Sequence, residues 1–168
     1  MRPTSIRTLD PQTGPTLSVV GDTYTILAGS EQTAGAYAII DMLVPPGGGP
    51  GPHAHADIQE SFYVIDGEVV VRSETQTYTA RKGALIEIPK GGAVHSFHNE
   101  SQQLAHLLCL VVPAGLDQFF REVGQPVQPG QFLPAQHTSP EQLRQLQAAA
   151  ARYGQEVFPP DYLDKKEA

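Results

Sequence analysis

His53-Ala54-His55 sets two imidazoles at i and i+2. In an extended segment both point to the same face, as two ligands of one ion must. Glu60 comes five residues after His55, the wrong parity for one continuous strand. Ala56-Asp57-Ile58-Gln59 must therefore turn the chain, and Glu60 opens the next strand facing inward with Phe62 and Val64. His95 sits on a later strand whose same-face neighbours are Phe97 and Asn99. Together His53, His55, Glu60 and His95 form a nitrogen-rich, borderline donor set for one divalent transition metal per chain: Fe, Mn, Ni, Co, Cu or Zn. Each piece alone has an ordinary reading. A His-x-His in a Pro/Gly loop can be a surface pair, a Glu that starts a strand is commonly solvated, and a single core His can be satisfied by hydrogen bonds. His98 is the competing choice to His95, but its parity is opposite and it should face outward. Asp57, His106 and His137 are weaker candidates still. His106 interrupts an apolar strand and suits an interface or an outer face.

The segments that must position this set read as short strands. Residues 17–20 and 24–27 surround the turn Gly21-Asp22, and 36–44 is a longer apolar strand. The loop 45–52, PPGGGPGP, breaks all regularity; it lacks the Gly-Lys-Ser/Thr ending of a P-loop and has no phosphate role. Residues 60–65 and 68–73 flank Asp66-Gly67, a strong hairpin signal because both residues tolerate positive φ. Further strands at 76–80, 84–88, 93–99 and 103–112 keep the spacing of a sandwich or barrel. Leu85, Ile86 and Ile88 make some strands apolar on both faces, so the second face calls for another layer, a helix or a partner subunit. After Pro113 the pattern turns helical. Residues 116–123 put Leu116, Phe119, Phe120 and Val123 on one face. Ser139 caps a second helix with Pro140 and Glu141 in its first turn, running to about Tyr153 before Gly154. Its face of Leu143, Leu146 and Ala150 would pack on the β structure.

At 168 residues the chain is the size of one domain with its own core. Sixteen glycines and fifteen prolines, without collagen periodicity, favour many short strands and tight turns. Eleven basic against eighteen acidic residues give a net charge of −7, which repels phosphate backbones and anionic lipid. Nucleic acid and membrane are thereby disfavoured as partners. No stretch approaches the ~18 apolar residues of a membrane span, and residues 1–14 lack the apolar core of a signal peptide; the expectation is a soluble cytoplasmic protein. The single cysteine, Cys109, lies in an apolar run and reads as a buried structural thiol.

The spacing as a whole resembles the two motifs of the cupin superfamily. Gly47, five residues, His53-x-His55, four residues, Glu60, six residues and Gly67 match the first motif without a gap. Gly83, five residues, Pro89-x-Gly91, then His95, three residues and Asn99 nearly match the second. Gly92, Ala93 and Val94 put three residues where that motif has two, and a Gly-Gly turn absorbs the extra one. The stretches LVPPGGGPGPHAHADIQESFYVIDGEV and VVPAGLDQFFREVG, with RYG near the end, look like small single-barrel cupins of the flavonol (quercetin) 2,3-dioxygenase-like group. The resemblance implies a mainly β fold. An arm over 1–14 leads into a single double-stranded β-helix (jelly-roll) barrel over 15–113, and a C-terminal segment over 114–168 packs short helices on it. It also implies that His53, His55 and His95 are neutral anchors and that Glu60 can take the proton of a substrate hydroxyl. Two-sided apolar strands and sheet edges need cover, which a homodimer through the N-terminal strands would supply, and the resemblance points the same way.

Three functional readings follow. The first is a dioxygenase that uses O2 on a small aromatic or enolic, flavonol-like molecule. The second is a metal-dependent isomerase or lyase, and the third a non-catalytic barrel that binds a small molecule. Few basic residues fall in the candidate strands, which disfavours phosphorylated sugars, and a binding-only barrel would not need four intact ligands. Phe62, Val64, Phe97 and Asn99 are the candidates for lining a substrate cavity, with simple filling of the barrel as the other reading of both phenylalanines.

Overall fold

The computed structural model describes residues 2, 4–134 and 139–164, so His137 lies outside the described residues. In chain order the elements are β1 (Thr16–Val19), β2 (Asp22–Ala28), α1 (Ser30–Thr33), β3 (Ala38–Val44), β4 (His53–His55) and β5 (Gln59–Asp66). They continue with β6 (Glu68–Ser73), β7 (Thr77–Arg81), β8 (Leu85–Ile88), β9 (His95–His98) and β10 (Ala105–Val112). The C-terminal part holds α2 (Leu116–Val123), β11 (Gln125–Pro126), α3 (Pro140–Arg152) and β12 (Gln155–Val157). The strands form two sheets, ordered β11-β1-β2-β3-β10-β5-β8 and β12-β4-β9-β6-β7, with every ladder antiparallel. The fold is mainly β, with short C-terminal helices.

Alternation builds the core. Ala38, Ile40, Met42 and Val44 on β3 face the same interior as Ala105, Leu107, Cys109 and Val111 on β10, all buried, while their sequence neighbours point outward. Full burial of each larger aliphatic side chain contributes about 1.5–3 kcal/mol. The outer face of the larger sheet leaves Tyr63, Leu85, Leu110 and Val112 exposed, as two-sided apolar strands would.

The hairpin expected at Asp66-Gly67 does not form. β5 pairs with β10 and β8, whereas β6 pairs with β7 and β9, so the chain crosses between sheets at this corner. Gly67 does adopt φ +73°, and a Cβ there would lie 2.6 Å from the Leu104 carbonyl oxygen. Positive φ was legible; what it serves is close approach to β10, not strand pairing. A second crossing, at 56–58, carries the chain from β4 in one sheet to β5 in the other.

The C-terminal segment does more than supply helices. α2 runs over the expected residues and buries Leu116, Phe119 and Phe120. Ser139 caps α3 by accepting from the Gln142 amide while the Gln142 side chain reaches back. The buried face of α3 is Ala149 and Ala150, and Leu143 is 43% exposed. The small alanines let the helix sit close, and Leu146 packs partly buried against the core beside them, with Leu143 left at the edge. Beyond α3, β12 zips onto β4, with Gln155 opposite His55 and Val157 opposite His53. The sheet edge at β1 is likewise covered, by β11.

Candidate metal centre and its cavity

β4 and β9 are neighbours with His53 opposite His95. His55 shares the His53 face at i+2, and Glu60 enters from β5 in the facing sheet. The three imidazole centroids lie 4.2 Å (His53–His95), 5.1 Å (His53–His55) and 5.8 Å (His55–His95) apart. One donor atom from each of His53, His55, Glu60 and His95 lies within 4.8 Å of all the others, and all four residues are buried. Glu60 Oε2 is 3.5 Å from His55 Nε2 and 3.4 Å from His95 Nε2. The extra residue before His95 is held down, since the amides of Gly91 and Gly92 donate to the carbonyls of Ala56 and His55. The glycine turn thus rests on the ligand strand itself.

The donor chemistry fits a single ion. His53 Nδ1 lies 2.8 Å from the Gly51 carbonyl, and His95 Nδ1 lies 2.9 Å from that of Ala93. A carbonyl only accepts, so both Nδ1 atoms carry the proton and both Nε2 atoms present a lone pair. His95 Nε2, both ring nitrogens of His55 and Glu60 Oε2 are buried without a hydrogen-bond partner. Each such orphan costs about 1–3 kcal/mol; one nitrogen of His55, His95 Nε2 and Glu60 Oε2 converge in one place, and a bound cation would relieve those three. Burial, with His95 alongside, pushes the His53 imidazolium down to about 3, so the ring is neutral and able to ligate. Burial opposes ionisation of Glu60, but the imidazoles of His55 and His95 outweigh it and hold its carboxyl below the usual range. Behind the centre, the Cys109 thiol points at Glu60 Oε1 from 3.6 Å. Burial and that carboxylate raise the thiol's pKa well above normal, so it stays a neutral donor.

The centre opens on a cavity of about 530 Å3. Its wall includes His53 and Glu60 together with Phe62, Phe97, Met42, Leu116, Phe119 and Phe120, and the Gly49–Pro52 loop forms part of its rim. The phenylalanines Phe62 and Phe97 meet edge to face at 5.2 Å. Val64 and Asn99 are placed elsewhere. Val64 is fully buried in the core, and Asn99 is a hydrogen-bonding hub in which Nδ2 donates to the carbonyls of Val44 and Gln103 while Oδ1 accepts from Ser101. His98 and Asp57 are exposed, and His106 pairs through Nε2 with Asp41 at 2.5 Å on the outer face.

Asp22 and Tyr24 also line the cavity, and sequence reasoning placed Asp22 only in a turn. The available signal was parity, which sets Asp22 and Tyr24 on one face of β2. Burial lifts the Asp22 carboxyl to about 7, against hydrogen bonds from Tyr24 and the Gly49 amide that lower it. The folded value exceeds the ordinary carboxyl value of 3.8, so the folded chain binds this proton more tightly. That contribution to stability is complete below 3.8 and is lost as pH rises through about 7. Denaturant melts of wild type and Asp22→Asn should therefore show the wild type losing ground from about pH 4 to about pH 7. A flat difference over that window would contradict the raised carboxyl.

A family profile for the cupin domain matches residues 40–111, a span that contains all four donor residues. With its two antiparallel sheets and buried three-histidine, one-glutamate cluster, the chain carries a cupin domain over those residues. It is 25% identical over 111 residues, 66% of its length, to the quercetin 2,3-dioxygenase of Bacillus subtilis (strain 168). The match covers 32% of that relative, so the chain spans about a third of its length. Among solved structures it resembles KdgF from Halomonas sp., at 16% identity and TM-score 0.58, over 68% of this chain and 99% of that one. A predicted oxalate decarboxylase from Thermotoga maritima gives 20% identity and TM-score 0.57, over 64% and 99%. A sugar phosphate isomerase of the cupin superfamily from Silicibacter pomeroyi gives 18% and 0.51, over 56% and 61%. At these identities the solved structures share the fold alone. No helix among the described residues is long and apolar enough to cross a membrane.

Proposed function

We propose that the chain is a cytoplasmic, metal-dependent oxidoreductase of the dioxygenase type, acting with O2 on a small aromatic or enolic, flavonol-like molecule. The observation that carries this reading is a donor cluster whose His53 and Glu60 stand in the wall of a largely apolar cavity of about 530 Å3, a size that suits a small flat ligand. No lysine or arginine lines that cavity among the described residues, which argues against a phosphorylated sugar. His53, His55, Glu60 and His95 would hold one divalent ion, Fe, Mn, Ni, Co, Cu or Zn. Such an ion, when bound, polarises an enol hydroxyl and lowers its pKa. Glu60, which stands in the cavity wall, would be the group to accept the hydroxyl proton, while the Cys109 thiol donates to its Oε1 from behind. Phe62 and Phe97 exclude water and pack against the ring faces.

An oxygen electrode read together with the ultraviolet absorbance of an added flavonol tests this reading. Metal-loaded protein should consume oxygen and flavonol in equimolar amounts. Flavonol lost without oxygen uptake would move the chain to the isomerase or lyase class, and flavonol bound but unchanged would make it a binding barrel. A homodimer belongs to the same proposal, covering the exposed Tyr63, Leu85, Leu110 and Val112. A monomer mass in sedimentation at micromolar concentration would contradict it.

A further inference from the structure

The cavity carries a second polar feature besides the donor cluster. The Tyr24 hydroxyl donates to Asp22 Oδ2 at 3.0 Å, and the Gly49 amide donates to Asp22 Oδ1 at 3.2 Å. Asp22 is 2% and Tyr24 4% exposed, and both stand in the wall of the cavity that His53 and Glu60 line. A carboxyl group buried beside so much apolar surface is costly unless hydrogen bonds compensate it, and those bonds show what it does there. One task is evident, because Oδ1 pins the glycine-rich loop so closely that a Cβ on Gly48 would sit 2.4 Å from it. Pinning uses Oδ1 alone. Oδ2 and the Tyr24 hydroxyl each keep an acceptor site beyond their mutual bond. The Tyr24 ring is held edge-on to Phe120 at 5.1 Å, which fixes the direction of its hydroxyl.

We infer, resting on the flavonol-like reading above, that Asp22 and Tyr24 form a ligand anchor that accepts a ring hydroxyl of an aromatic substrate whose enol edge faces His53 and Glu60. The cavity thus selects a polyhydroxylated aromatic over its parent that carries the enol alone. Apolar walls bind both nuclei alike, whereas a buried acceptor rewards only the molecule that brings a donor to it.

The test is an anaerobic titration of metal-loaded protein with two probes: the parent flavonol, whose one hydroxyl is the chelating enol, and quercetin, which has further ring hydroxyls. The wild type should bind quercetin on the order of ten-fold more tightly. Asp22→Asn keeps an acceptor for the Gly49 amide, and Tyr24→Phe keeps the ring packing. Each should bring the ratio of the two affinities close to unity, with the loss falling on quercetin and metal content at the wild-type level. Full discrimination in both variants would overturn the anchor while leaving the flavonol reading intact. Equal weakening of both probes together with loss of metal would also overturn it, reducing Asp22 to a loop pin. No binding of either probe to the wild type would remove the flavonol reading and the anchor with it.

Discussion

Glu60→Gln and His55→Ala, purified beside the wild type, should each retain less than roughly a tenth of its bound metal. Both should keep the far-UV circular dichroism of the parent. Glu60 is the single anionic donor of the cluster, and its Oε2 faces two imidazole Nε2 atoms at 3.4 and 3.5 Å. An amide of the same shape supplies no charge to offset a divalent ion. His55 has neither ring nitrogen engaged by protein, so its removal deletes a ligand without breaking a hydrogen bond. The fold survives because backbone pairing holds the strands: β4 lies between β12 and β9, and β5 between β10 and β8. Thermal melts give an independent readout. A ligand present at a hundredfold excess over its Kd stabilises by about 2.7 kcal/mol, equivalent to roughly 8 °C in a domain of this size. A chelator should take that increment from the wild type and nothing from either variant. His98→Ala, one residue outside β9's inward face and exposed, should keep full metal. Full metal in the two ligand variants would place the ion elsewhere.

Much of this centre was legible from parity and spacing. His53 and His55 at i and i+2, and the parity break before Glu60, required a turn between two strands, and the structure places that turn at a crossing between sheets. Local signals were less informative about pairing. Asp66-Gly67 announced positive φ correctly, but the same dipeptide serves a hairpin or a sheet-to-sheet corner, and only the position of Leu104 decides which. β12 was unreadable for a related reason. Gln155–Val157 has no alternation to mark a three-residue strand, and its register is set by β4, about a hundred residues earlier. Asp22 follows a turn glycine and reads as a turn residue until the cavity behind it is seen.

Asn99→Ala should lower stability by about 3 kcal/mol, or roughly 10 °C in melting temperature. Parity with His95 had offered Asn99 as a cavity residue, and the structure makes it a joint. Its Nδ2 donates to the Val44 carbonyl at 2.8 Å and to the Gln103 carbonyl at 2.7 Å, tying the end of β3 to the turn before β10. Its Oδ1 accepts from the amide and hydroxyl of Ser101. Its own backbone exchanges hydrogen bonds with Gly47 and Gly48, so the same residue holds the glycine-rich loop. Alanine leaves a fully buried void and acceptors without donors, and no neighbouring side chain takes over the bonds. Scanning calorimetry distinguishes the two roles. A joint loses melting temperature, whereas a cavity residue would lose ligand affinity at unchanged melting temperature, and that outcome would return Asn99 to the cavity wall.

The most direct test of the central claim is elemental analysis of full-length chain purified without a His-tag and without added metal. The cluster of His53, His55, Glu60 and His95 predicts close to one equivalent of a divalent transition ion per chain, lost on dialysis against a chelator and restored by a single equivalent. Absence of metal both as purified and after reconstitution would contradict a metal centre, and the barrel would then stand as a binding module.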